Sequence, residues 1–119
     1  MAKSVIVCGV ILSLVFAISV TSARYVRATC DMVLSILEDE GRPLGERFED
    51  AHKIWEERKD LLMFVSNHKD IESVSLSLIR GRESARFGGE HTAGAELETA
   101  LFLIREFAEK EKLTAENVV

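Results

Sequence analysis

Residues 4–23 read SVIVCGVILSLVFAISVTSA, a run without a single charge, and the architecture of the chain turns on what that run is. About 20 consecutive apolar residues are what a helix needs to cross the ~30 Å hydrocarbon layer of a bilayer. A basic start, an apolar core and small residues at the far end also describe a cleavable secretory signal, for which Thr21-Ser22-Ala23 would serve as the cleavage site. The run exceeds the usual signal core of about 7 to 15 residues, however, and helical patterning continues past Ala23 without a breaker. The expected organisation is therefore a short N-terminal tail (1–3), a transmembrane anchor (4–23) and a helical bundle domain (24–119). If the segment is cleaved, the alternative is a secreted helical protein. A lipoprotein signal does not fit, because neither Cys8 nor Cys30 follows an apolar core ending in a small residue.

Orientation rests on a close comparison, Lys3 and the amino terminus against Arg24 and Arg27. A short N-terminal tail stays in the cytoplasm as a rule, which places residues 24–119 outside it, at the cell membrane. Cysteine usage does not bear on this: Cys8 lies in the apolar run, and Cys30 alone cannot build a paired disulfide framework.

Beyond the run, the chain is long enough for one small domain. That part holds all 20 acidic residues and 14 of the 15 Lys and Arg, for a net charge of −6. So acidic a domain is poorly suited to nucleic acid, where basic surface supplies most of the affinity. Turns are marked by Gly41-Arg42-Pro43-Leu44-Gly45, by Ser66-Asn67-His68 and by Gly88-Gly89.

Between these marks apolar residues recur at helical spacing. Helix 1 runs out of the membrane through Tyr25, Thr29, Met32, Val33, Ile36 and Leu37, stopping at Glu38-Asp39-Glu40. Helix 2 carries Phe48, Ala51, Trp55, Leu62 and Val65, widened by Ile54 and Leu61. Helix 3 carries Ile71, Val74, Leu78, Gly81 and Ala85, with Ile79 alongside, and helix 4 carries Ala93, Leu97, Ala100, Leu101, Ile104 and Ala108. No segment alternates as a strand does. The fold class is all-α: one transmembrane helix continuing into an antiparallel bundle of three to four helices, with helices 2 to 4 each about 18 to 22 residues long. In that bundle Leu61-Leu62-Met63-Phe64-Val65 returns to the membrane surface, which accounts for an apolar cluster wider than one stripe.

The ordered features from the anchor through Trp55, Lys59, Leu62, His68, Asp70, Ile71, Val74, Leu78 and Arg80 to Leu113-Thr114-Ala115-Glu116-Asn117-Val118 resemble the small membrane-anchored bacterial family catalogued as domain of unknown function 4363. The resemblance spans nearly the whole chain through spaced single residues. It implies a one-pass anchor plus a helical domain and supplies no catalytic residue. The chain departs from the family pattern in having only Lys3 before the anchor and Arg24 and Arg27 after it, which bears on orientation and not on fold.

Several constellations invite chemical readings. Glu49-Asp50-Ala51-His52 holds one Glu-x-x-His, but a di-metal bundle site needs two copies plus further carboxylates; a solvated pair on the outer face of helix 2 is the plain reading. In His68-Lys69-Asp70-Ile71-Glu72, a membrane-proximal His could sense pH, yet Asn67 or His68 as a cap, with Asp70 and Glu72 at the positive end of the helix dipole, explains the pattern more simply. Arg80, Arg82 and Arg86 fit the C-terminal end of helix 3, facing Glu90, Glu96 or Glu98. Trp55 reads as a core anchor. The run from Glu106 to Lys112 reads as a solvated helix end, and Thr114-Ala115-Glu116-Asn117 as a helix start that does not continue. Gly9, Ser13, Ala17 and Thr21 put small residues on one face of the anchor, as in self-associating spans.

From sequence, then, no catalytic, cofactor or metal residue is assigned. The expected function is a non-enzymatic single-pass membrane protein whose bundle is an interaction or scaffolding module beside the bilayer. Its partners would be the lipid bilayer through residues 4–23 and a protein or a second copy of itself, with no nucleic acid. The alternative is a sensor whose bundle responds to a small molecule, proton or metal.

Overall fold

A computed structural model describes residues 2–118, apart from the side chains of residue 90 and residues 114–118. Four helices follow one another: α1 (Ala2–Leu37), α2 (Leu44–Val65), α3 (His68–Glu83) and α4 (Glu90–Val118), with one π-helical turn (Ser84–Gly88) between the last two. No strand occurs among the described residues. Each helix packs on its neighbours in the order α1, α2, α3, α4 and back to α1, which closes an antiparallel four-helix bundle. The apolar run projects from one end as a bare helix, giving a molecule 68 Å long and 25 × 22 Å across.

Helix α1 is unbroken for 36 residues, about 54 Å at 1.5 Å per residue, and is the one helix among the described residues long and apolar enough to cross a membrane. Its side chains stay exposed as far as Ile18 and are first partly covered at Ser19 and Val20. From there Val26, Thr29, Cys30, Val33 and Leu37 are buried. Thr29, Val33 and Leu37 are core residues as expected and Tyr25 and Ile36 are half-buried, but Val26 and Cys30 complete the inward stripe, while Met32 is exposed. The expected and the observed stripe both carry apolar residues at helical spacing, so periodicity alone does not choose between them.

The turns are tight because side chains close the helix ends. At the α1–α2 corner the Asp39 carboxylate accepts from Gly41 N at 3.2 Å, and Arg47 Nη1 donates to the Leu37 carbonyl at 2.9 Å, satisfying one of the orphan acceptors of α1. Arg42 pairs with Asp50 across the same corner. Between α2 and α3, Ser66 N donates to Leu62 O at 2.8 Å, and Asn67 caps α3 by accepting from Lys69 N at 2.8 Å. His68 Nε2 donates to the Met63 carbonyl at 2.8 Å. Of the two expected caps Asn67 is therefore the one used, and His68 ties down the end of α2.

The helices are less equal than expected. Helix α3 spans 16 residues and is finished by the π turn, whereas α4 runs for 29, through the segment expected to start a new helix. Gly89, with φ at +86°, supplies the left-handed residue that reverses the chain into α4.

Trp55 is fully buried at the centre, edge-on to Phe107 at 5.9 Å between ring centroids and 75° between planes. Its indole N–H points to the Ile71 carbonyl at 3.4 Å. Phe107 belongs to the stretch expected to be solvated; three residues after Ile104, it continues the inward face of α4 between charged neighbours.

One contact between α2 and α3 is closer than any side chain beyond glycine allows. A Cβ on Gly81 would lie 2.1 to 2.5 Å from three ring atoms of the buried Phe48. Gly81→Ala is expected to destabilise the bundle by about 1–3 kcal/mol despite alanine's better helix propensity. Thermal unfolding of the single variant beside Gly81→Ala/Phe48→Leu, which recovers part of the loss by giving the new methyl room, checks this.

Candidate functional site

The bundle end that carries the apolar run and the end opposite to it differ in chemistry. At the first, α2 ends alongside the run: Leu14, Ala17, Ile18 and Thr21 of α1 and Leu61 and Val65 of α2 line an apolar cleft of about 370 Å³. The expected cluster at the end of α2 divides, with Leu62 buried in the core, Met63 and Val65 half-buried, and Leu61 and Phe64 exposed at 59% and 88%. Arg58 clamps this region to α1, donating to Thr29 Oγ1 at 3.2 Å and lying 5.6 Å from the centre of the Tyr25 ring.

On the other flank of α1 a second, larger groove of about 900 Å³ runs between α1 and α4. Its floor is formed by Ala23, Val26, Leu34 and Ala108 with the half-buried Glu111, and its rim carries Arg24, Arg27 and Asp31 from α1 facing Arg105, Glu109 and Lys112 from α4. Arg105 reaches Glu38 at 2.5 Å across its outer end. The sequence signal for this groove is faint, because its rim residues sit on two helices more than 70 positions apart and make no local motif.

The sequence-singled constellations do not converge. Glu49 is exposed, while His52 is half-buried and faces Glu56 Oε1 at 3.4 Å, so the pair on an outer face is replaced by a tucked imidazole whose Nε2 has no hydrogen bond. Burial pushes the His52 pKa below its ordinary 6.5; Glu56 opposes this, and Arg82 and Lys59 add to it. Asp70 meets Lys110 at 3.5 Å. Arg82 pairs with its neighbour Glu83 at 3.4 Å, and no ion pair joins Arg80 or Arg86 to Glu96 or Glu98 among the described residues. The Glu90 side chain lies outside the described residues, as do those of Thr114, Glu116 and Asn117. His91 is exposed, and no three potential metal ligands come together among the described residues.

Two further groups are shifted by burial. The Cys30 thiol is pushed up to about 12 by desolvation, with Asp31 and Glu111 adding to the effect, so it is not a nucleophile at neutral pH. The half-buried Glu111 carboxyl is also raised, by desolvation, with the Ser66 hydroxyl opposing and Asp70 adding to the shift.

The family described as Domain of unknown function (DUF4363) matches residues 17–118, all of the bundle and the last turns of the apolar run. The chain belongs to that family. No curated protein and no solved structure matches it. The DUF4363 match opens at Ala17, two residues before the side chains of α1 are first covered by the bundle, so the family unit and the packed unit begin in the same turn.

A depressed histidine pKa means that the unfolded chain takes up the proton first. The stability tied to a neutral His52 is present above pH 6.5 and is lost as pH falls below it. Melting temperatures measured from pH 7 downward should fall more gently through that window for His52→Gln than for the parent chain.

Proposed function

We propose that the protein is a single-pass membrane protein whose helical domain works without catalysis, as an interaction or scaffolding module seated on the bilayer surface outside the cytoplasm. The observation that carries this reading is the continuity of α1: the helix that is long and apolar enough to cross a membrane is the same helix that supplies one quarter of the bundle. Any partner engaged by the bundle would thereby be held at a fixed height and angle to the membrane.

The exposed part of α1, about 17 residues or about 26 Å, falls slightly short of a ~30 Å hydrocarbon layer. The bundle end would supply the remainder. Leu61 lies beside residues 14–21 and Phe64 projects, exposed, from the same end of α2, where apolar and aromatic side chains are favoured at the interface. Self-association through Gly9, Ser13, Ala17 and Thr21 is compatible with the same arrangement, since that face of α1 is largely uncovered and a Cβ on Gly9 would meet nothing within 4 Å.

The groove between α1 and α4 favours a second role, in which a bound small ligand biases the bundle. A ligand at 100 times its Kd would add about 2.7 kcal/mol of stability, visible as a rise in melting temperature.

Depth measurements test the seating. In the Cys8→Ser background, where the buried Cys30 is unreactive, a fluorophore on Phe64→Cys is expected to be quenched by brominated lipids in reconstituted vesicles, and one on Phe87→Cys, exposed at the far end, is not. Equal quenching at both sites, or at neither, would overturn the seating. Protease added to intact cells should remove the bundle; digestion only after lysis would reverse the orientation.

A further inference from the structure

We propose that the groove between α1 and α4 holds the headgroup of a zwitterionic phospholipid with a primary ammonium, its phosphate between Arg24, Arg27 and Lys112 and its ammonium against Asp31 and Glu109. The inference rests on residues 4–23 lying in the bilayer.

Depth is the first reason. Arg24 is the first charge after the apolar run and Arg27 follows within one turn, while antiparallel packing brings Lys112 of α4 to the same level. The polar layer of a membrane adds about 5–7 Å on each side of the hydrocarbon, so long cationic side chains rooted here reach the phosphates.

Charge is the second. In an acidic domain these three cations gather on one groove, and none of them forms an ion pair or hydrogen bond among the described residues, whereas Arg42, Arg82 and Arg105 do. Asp31 lies one turn beyond Arg27, and Glu109 nearly one turn beyond Lys112, both away from the run and both without an ion pair among the described residues. Along its exposed rim, with Arg105 taken up by Glu38, the groove therefore changes sign from positive to negative over about 5.4 Å outward; the half-buried Glu111, next to Lys112, is the one carboxylate of the lining at the positive level. A lipid headgroup presents the opposite charges in the same order, phosphate nearest the chains and ammonium beyond it. Two exposed carboxylates select an ammonium that can donate hydrogen bonds over a quaternary one that cannot. The Arg105–Glu38 pair closes the outer end, so a short headgroup fits better than an extended one.

The test uses the full chain, purified in detergent and titrated with phosphatidylethanolamine, phosphatidylcholine or phosphatidylglycerol, with bound lipid read by native mass spectrometry. The expected result is one retained phosphatidylethanolamine at about fivefold lower lipid concentration than either of the others. Arg24→Gln/Arg27→Gln/Lys112→Gln and Asp31→Asn/Glu109→Gln should each abolish the preference. A control at exposed sites elsewhere, Lys53→Gln/Arg80→Gln/Arg86→Gln, should keep it. All the altered groove residues are exposed, and unchanged circular dichroism confirms folding. Equal retention of the three lipids by the parent chain overturns the proposal, as does tighter retention of phosphatidylglycerol than of phosphatidylethanolamine by the parent chain, the mark of a plain cationic patch. Displacement by micromolar free phosphoethanolamine overturns the lipid as its source. Failure of the parent chain to float with vesicles would instead sink the membrane-spanning reading, whatever lipid is retained in detergent.

Discussion

Backbone continuity in α1 is the constraint on which the rest of the molecule depends. Each internal peptide of an α-helix is tied to the turn before it, so a helix without proline or a glycine pair has no joint at which to bend sharply. From Ser4 to Leu37 the one glycine is Gly9 and there is no proline. The direction of the apolar run therefore sets the direction of the bundle axis. Helices α2, α3 and α4 have no choice but to run antiparallel or parallel to that direction, because each buries its stripe along the flank of its neighbours.

Given that axis, the two bundle ends have different physical tasks. Toward the run, the chain turns between α2 and α3 in Ser66 and Asn67 alone, pinned by the Asn67 cap and the His68 bond to Met63 O. Arg58, Thr29 and Tyr25 bind α2 to α1 just above. At the far end, α3 loosens into a π turn before Gly89, and Phe87 is left exposed there at 82%. Wider π hydrogen bonding is tolerated where the neighbouring helix does not demand strict register.

Much of this was legible in the sequence because hydrophobic period and turn chemistry agree there. Gly41 to Pro43 and Asn67 mark real corners, and Trp55, Ile71, Leu78 and Ile104 fall inward as their spacing requires. Two kinds of residue escaped. Val26 and Cys30 compete with Tyr25 and Met32 on a segment apolar on nearly every side, so the choice of face falls to the partners and not to the helix itself. Phe107 was masked by the charges around it, though a residue three beyond Ile104 belongs to the same face. The α1–α4 groove was the least legible part of all. Its charges are individually ordinary, and only the antiparallel return of α4 sets Lys112 beside Arg24 and Arg27.

The long return of α4 has a structural consequence. At 29 residues it exceeds what is needed to cover α1 from Leu37 to Val26, and its surplus carries it back alongside the last turns of the apolar run. Helix α2 does the same on the opposite flank, where Leu61 and Val65 reach the level of Ile18. The run thus emerges braced on two sides and not from a flexible neck, and a tilt of α1 must carry α2 and α4 with it. A helix held in this way transmits orientation in both directions: a force or partner acting on the far end of the bundle tilts the run, and a change in the environment of the run tilts the bundle.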